Sequence, residues 1–249
     1  MAVVEAPAPW LRTFRSVAVP RLRLVCFPHG GGAASAFSSW PAMLPAGVEL
    51  VAVQYPARED RVGESMPGRL VDAAGEVAAG LVPLLTVPYA LFGHSMGATL
   101  AYEVAQRLRA IGSPAPRHLV VSGREAPYDE QGGDVHRRDD DGVVAELLRL
   151  GATDREILAD PGLRAMIVRY VREDYRLIET YVPAEQPPLD CPITIFLGVD
   201  DPDLGPALAR RWHRVTGRRT ELRIFPGGHF YLVPHRDEVI AALLAAATG

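Results

Sequence analysis

Apolar residues gather along this chain in short, nearly unbroken runs: "LRLVCF" (22–27), "VELVAVQY" (48–55), "YALFGH" (89–94), "HLVVSG" (118–123), "ITIFLG" (193–198) and "ELRIF" (221–225). A strand with one wet face alternates apolar and polar residues, so continuous runs of this length predict strands covered on both faces, as in a parallel sheet. Between the runs, apolar positions recur at helical spacing over 69–85, 96–110, 205–215 and 235–247. Alternating strand and helix predict an α/β architecture, a mostly parallel central sheet flanked by crossover helices.

The alternation stops between about 125 and 185. That stretch opens with the charged "DEQGGDVHRRDDDG", which reads as a mobile surface loop over 129–141, and continues into one strong helical stripe. Leu163, Met166, Ile167, Tyr170, Val171, Leu177, Ile178 and Tyr181 share that stripe, and Asp174 falls among them. A carboxylate on an apolar face needs a partner, so a satisfied hydrogen bond is expected at Asp174. The expectation is one domain over 1–249 with a helical lid inserted at about 125–185, without internal repeats or a low-complexity linker.

At 249 residues, 48% hydrophobic and 22% charged, the composition fits one globular domain with a substantial core. A net charge of −4 supplies no basic field for nucleic acid or anionic lipid. No window reaches the roughly 18 apolar residues of a membrane span. Glu5, Pro7 and Pro9 interrupt the start of the chain where a secretory leader needs an apolar stretch, so a cytoplasmic protein is expected; a monomer is expected as a separate reading. Cys26 and Cys191 lie in or beside apolar segments without metal-ligand spacing and read as small core residues.

The chemistry centres on "FGHSMGATLAYEVA" (92–105). Gly93-His94-Ser95-Met96-Gly97 has the Gly-x-Ser-x-Gly spacing, with a predicted strand before it and a predicted helix after it. On such a strand-to-helix elbow the serine occupies a strained turn, the flanking glycines leave room for neighbouring backbone, and the helix N-terminus supports an oxyanion. A small residue opening a helix is the competing account of Ser95. As a nucleophile Ser95 needs a base held by an acid, in the order Ser, acid, His. "FPGGHFYLVPH" offers His229 in a glycine-rich loop after the last strand, favoured over His235, which starts the closing helix. "FLGVDDPDLG" offers Asp200, Asp201 and Asp203. Position alone leaves these three open, because an aspartate there also caps helices. For the oxyanion, the backbone N–H of Met96 follows the nucleophile, and "FPHGGGAAS" supplies Gly30, Gly31 and Gly32 after an early strand. A phosphate-binding turn is the alternative for that glycine run, but no Gly-Lys-Ser/Thr or Gly-x-Gly-x-x-Gly accompanies it.

Taken together, five ordered blocks resemble the type II thioesterases of polyketide synthases and nonribosomal peptide synthetases, members of the α/β-hydrolase superfamily. "LVCFPHGGGAASAFSSW", "VQYPARED", "FGHSMGATLAYEVA", "REDYRLIETY" and "FPGGHFYL" carry the likeness nearly end to end. The resemblance implies a Ser95, Asp201, His229 triad, Asp201 being the aspartate before proline, with Gly30 and Met96 as oxyanion donors. It implies hydrolysis of acyl groups from the phosphopantetheine arm of acyl or peptidyl carrier proteins, without a cofactor or metal. A general carboxylesterase, a product-releasing thioesterase and a carrier-binding module without catalysis are the rival readings. Three departures from the family pattern stand out: Gly30 where alanine is usual, Ala57 in place of glycine, and Val199 where aspartate is common.

Overall fold

The computed structural model describes residues 9–129, 132–151, 153 and 155–249. Glu5 and Pro7, on which the leader argument rested, lie outside the described residues. All six predicted strands form, as β2 (Leu22–Phe27), β3 (Val48–Val53), β4 (Tyr89–His94), β5 (His118–Ser122), β6 (Ile193–Gly198) and β7 (Thr220–Phe225). A seventh strand, β1 (Leu11–Arg15), pairs antiparallel with β3 at the edge of the sheet. Its "LRTFR" carries too few apolar residues to stand out, because an edge strand is covered on fewer sides.

The strand order is β1-β3-β2-β4-β5-β6-β7, and every pair from β3 to β7 is parallel. Residues of β2 through β6 are buried along their whole length, so both faces of the sheet are covered. Alternate side chains feed two cores. Val25, Phe27, Leu91 and Val121 pack with α1 (Leu70–Leu81) and α2 (Met96–Ala110) on one face. Leu24, Cys26, Phe92 and Val120 face the other, beneath Phe37 and Trp40 of two short 3-10 turns and the closing helix. Cys26 and Cys191 are buried and unpaired, and burial pushes both thiols up, Cys191 to about 12. Neither thiol ionises readily enough to act as a nucleophile.

The predicted helix over 69–85 ends at Leu81 and gives way to a 3-10 turn at 82–84, where Pro83 has no N–H for an α-helical bond. Among the described residues between β5 and β6 the insertion holds three α-helices: α3 (Asp140–Leu150), α4 (Arg155–Ala159) and α5 (Pro161–Glu179). They share a small apolar core of Val143, Leu147, Leu158, Ile167, Val168 and Val171. The charged run is therefore only in part a loop. Asp139 caps α3 by accepting the Gly142 N–H at 2.8 Å, Asp140 and Asp141 form its first turn, and Gly151 ends it in a left-handed conformation. Leu163 and Met166 leave the stripe, at 45% and 41% exposed, whereas Ile167, Val171, Asp174, Leu177 and Ile178 are buried. After β6, the predicted helix over 205–215 is a single α turn, α6 (Pro206–Ala209), followed by a 3-10 segment, Arg210–Val215. The chain closes with α7 (Arg236–Thr248). No helix among the described residues is long and apolar enough to cross a membrane.

Candidate active site

Strand order reverses between β2 and β4: the chain runs outward to β3 on one side and through β5, β6 and β7 on the other. Crevices at such a switch point, beyond the carboxyl ends of the strands, are where α/β sheets place ligands. The loop after β2 and the turn after β4 meet there, with Phe27 and Gly93 directly paired across the two strands.

Ser95 forms that turn at φ 54°, ψ −123°, a region that ordinary side chains avoid. Its N–H donates to Ser122 O at 2.8 Å, and its side chain makes no cap bond to α2. A serine that merely opened a helix would be extended and would cap it. The flanking glycines have a steric cause. A Cβ on Gly97 would sit 2.3 Å from Phe27 O and 2.4 Å from Pro28 O, and one on Gly93 would sit 2.1 Å from Gly97 O.

His229 and Asp201 come together at the same edge. Asp201 accepts the Nδ1 proton of His229 at 2.8 Å, and the two side chains are 5% and 0% exposed. The geometry separates the three aspartates. Asp201 also accepts the Asp203 N–H at 3.0 Å, whereas the Asp203 side chain turns away to a two-pronged ion pair with Arg149 of α3, at 2.9 and 2.7 Å. Asp200 is exposed and is held only through its backbone, donating to Gly227 O at 3.0 Å. His235 lies at the start of α7 with Glu238 as its acidic neighbour, at 3.6 Å. Val199 is exposed at the strand end, so the departure there falls on a side chain outside the site.

The glycine loop lies beside Ser95. Gly31 requires glycine, at φ 82°. Gly30 does not: a methyl there would lie 3.6 Å from Asp174 Cβ and 3.9 Å from Met96 Cβ, ordinary contacts that accommodate the usual alanine. Ala57 is the opposite case, an alanine at φ 69° where the resembled family has glycine. Ala57→Gly should therefore raise stability by about 0.5–1 kcal/mol, read as a higher denaturation midpoint; a lower midpoint would show that the turn is unstrained. His29, Gly30, Ser95, Met96 and His229 line one cavity of about 80 Å³, roofed by Leu147 and Leu150 of α3 and by Tyr175 and Ile178 of α5. No group of side chains suited to a metal ion occurs among the described residues.

Two further histidines, which sequence reasoning passed over, lie around His229. The His94 ring lies 4.9 Å from that of His229 and 6.0 Å from that of His29, and Phe230 packs edge-on against all three. His94 Nδ1 shares a 2.9 Å hydrogen bond with Ser122 Oγ, which meets Tyr231 OH at 2.6 Å. Burial, reinforced by the charge of His229, drives the His94 ring well below the usual range and the His29 ring to about 3. Both rings are thus held in their neutral form beside His229. Their only sequence signal was adjacency, His29 to the glycine run and His94 to Ser95.

These rings make a pH prediction. In the unfolded chain His29, His94 and His118 titrate near 6.5, whereas in the fold burial holds His118 at about 4, His29 at about 3 and His94 well below its usual range. Below pH 6.5 the unfolded chain takes up protons that the folded chain refuses, so stability is fully present above 6.5 and falls toward pH 3. Thermal unfolding between pH 4 and 8 should show the midpoint dropping on acidification; a flat profile from 6.5 to 4.5 contradicts the assignment.

A mostly parallel sheet, with a strained serine between β4 and α2 and a histidine-carboxylate pair at the same edge, defines the α/β-hydrolase fold. Residues 22–246 match the family model described as the Thioesterase domain, and the chain belongs to that family. It is 42% identical over 235 residues to a "Probable cadicidin biosynthesis thioesterase" of Streptomyces griseus, covering 94% of this chain and 65% of that protein. The chain thus spans just under two thirds of that relative's length. Against "Thioesterase PikA5" of Streptomyces venezuelae it is 38% identical, covering 92% of this chain and 82% of the relative. The solved type II thioesterase BorB, from the borrelidin biosynthetic cluster, superposes with a TM-score of 0.88 at 38% identity, over 96% of this chain and 97% of that one.

Proposed function

We propose that this thioesterase hydrolyses acyl groups from the phosphopantetheine arm of acyl or peptidyl carrier proteins, clearing stalled or misprimed units from a polyketide or nonribosomal peptide assembly line. The observation that carries the chemistry is the His229–Asp201 hydrogen bond opening onto the cavity of the strained Ser95. The reaction has two steps. His229 Nε2 takes the Ser95 proton as Oγ attacks the thioester carbonyl, while the backbone N–H groups of Gly30 and Met96 hold the oxyanion. The C–S bond then breaks, and His229 returns the proton to the departing pantetheine thiolate. Water, deprotonated by His229, attacks the acyl-serine, releasing the acid and restoring Ser95. Asp201 keeps the His229 Nδ1 proton in place and stabilises the imidazolium.

The inserted helices α3 to α5 act as the lid, and the small cavity beneath them favours short acyl chains. The similarity to Thioesterase PikA5 and to the type II thioesterase BorB of the borrelidin cluster supports a thioester as the substrate. A panel of acetyl and propionyl groups on a carrier protein, on free pantetheine and as simple esters tests the reading. We expect kcat/KM at least about tenfold higher for the carrier-bound groups, the extra contacts lowering the barrier by about 1.4 kcal/mol. Turnover of simple esters with none on any acyl carrier would identify a general carboxylesterase.

A further inference from the structure

Asp174 stands outside the proposed chemistry yet is fully buried beside it. It sits on α5, takes the Arg58 guanidinium at 2.6 Å on each oxygen, and accepts the Gly31 N–H on Oδ2 at 2.7 Å. Arg58 in turn donates from Nη1 to Gly32 O at 2.9 Å and from Nε to Pro56 O at 3.1 Å, and its guanidinium lies over the Tyr170 and Tyr55 rings. One ion pair therefore grips the glycine loop by the N–H of Gly31 and the C=O of Gly32. A buried ion pair is a weak source of stability, since desolvation offsets most of the attraction. The arrangement calls for a geometric explanation.

The peptide planes supply it. Gly32 N–H donates to His29 O at 2.9 Å, and Tyr55 OH donates to Pro28 O at 2.7 Å. His29 C=O and Gly30 N–H belong to one peptide unit, which is trans, so the two groups point in opposite directions. Holding Gly31 and Gly32 therefore holds His29 C=O into the turn and directs the Gly30 N–H out of it, and Gly30 lines the same cavity as Ser95 and Met96. We propose that Asp174 is a positioning residue for the oxyanion: by taking the Gly31 N–H from the lid side, it aims the Gly30 N–H at the carbonyl oxygen beside Ser95. The seat of α5 and the aim of that donor then form a single structural variable. This rests on Ser95 as nucleophile and Gly30 as donor.

Two charge-neutral pairs isolate the effect. Arg58→Gln with Asp174→Asn keeps an acceptor for Gly31, and Arg58→Met with Asp174→Leu removes it at similar volume. The readouts are kcat and KM on an acyl-carrier substrate, affinity for an alkyl boronic acid, whose tetrahedral adduct on Ser95 puts an oxygen in the oxyanion position, and affinity for the product carboxylate. The amide pair should keep kcat within about threefold of the parent. The apolar pair should lose about 100-fold in kcat and in boronic acid affinity, with KM and product affinity within about threefold, as expected for a displaced oxyanion donor. Should the apolar pair melt below the assay temperature, Arg58→Gln with Asp174→Ser, whose hydroxyl is too short to reach Gly31, takes its place under the same criteria. Equal losses in the two kinds of pair, or parent-like kcat in both, overturn the positioning role. Turnover surviving in Ser95→Ala would instead overturn the reading beneath it.

Discussion

Replacing Ser95 with alanine should lower kcat on an acyl-carrier thioester by at least about ten-thousandfold, because the reaction then has no nucleophile and keeps only binding and oxyanion contributions. Fold stability should stay close to that of the parent, since the Ser95 side chain makes no cap bond and its backbone bond to Ser122 survives the change. Ser95→Gly separates function from strain. Glycine adopts φ 54°, ψ −123° without a side-chain clash, so this variant should be equally inactive yet more stable by about 1 kcal/mol. Steady-state kinetics and denaturant midpoints on the three proteins decide the matter. Residual turnover of either variant above a thousandth of the parent would remove Ser95 from the chemistry.

The second large effect falls on the acid. Asp201→Asn should cost about ten-thousandfold in kcat, because an amide presents its NH₂ group to His229 and favours the tautomer whose Nε2 carries the proton and so is unable to accept one from Ser95. Asp200→Ala should stay within about threefold, as that side chain is exposed and its backbone bond to Gly227 is retained. Asp203→Ala removes a half-exposed ion pair with Arg149 and should cost less than about 1 kcal/mol of stability. Parallel kinetics on the three variants test the assignment, and loss of turnover in Asp200→Ala but not in Asp201→Asn reverses it.

The sheet was legible wherever burial was two-sided. β2 to β6 announce themselves through unbroken apolar runs, whereas β1, half-exposed and paired on one side, carries no such run. In the insertion, α5 was legible from its stripe, but α3 hid inside a charged stretch whose aspartates serve as its cap and first turn. Ser95 and His229 could be singled out because local sequence constrains them: two flanking glycines mark the one, a glycine loop after the last strand the other. His29 and His94 escaped because a buried neutral ring leaves no mark on the pattern of charges.

The sequence by itself determined the α/β alternation, the strained turn at Ser95 and the order of the candidate groups, because each depends on burial periodicity or backbone sterics within a few residues. Position along the chain left three aspartates open and the family resemblance pointed to Asp201; the tertiary structure brings that one to His229, and it alone decided what satisfies Asp174. Arg58 and Asp174 are 116 positions apart, and no local pattern encodes a hydrogen bond whose partners are brought together by the packing of a whole sheet and its inserted helices.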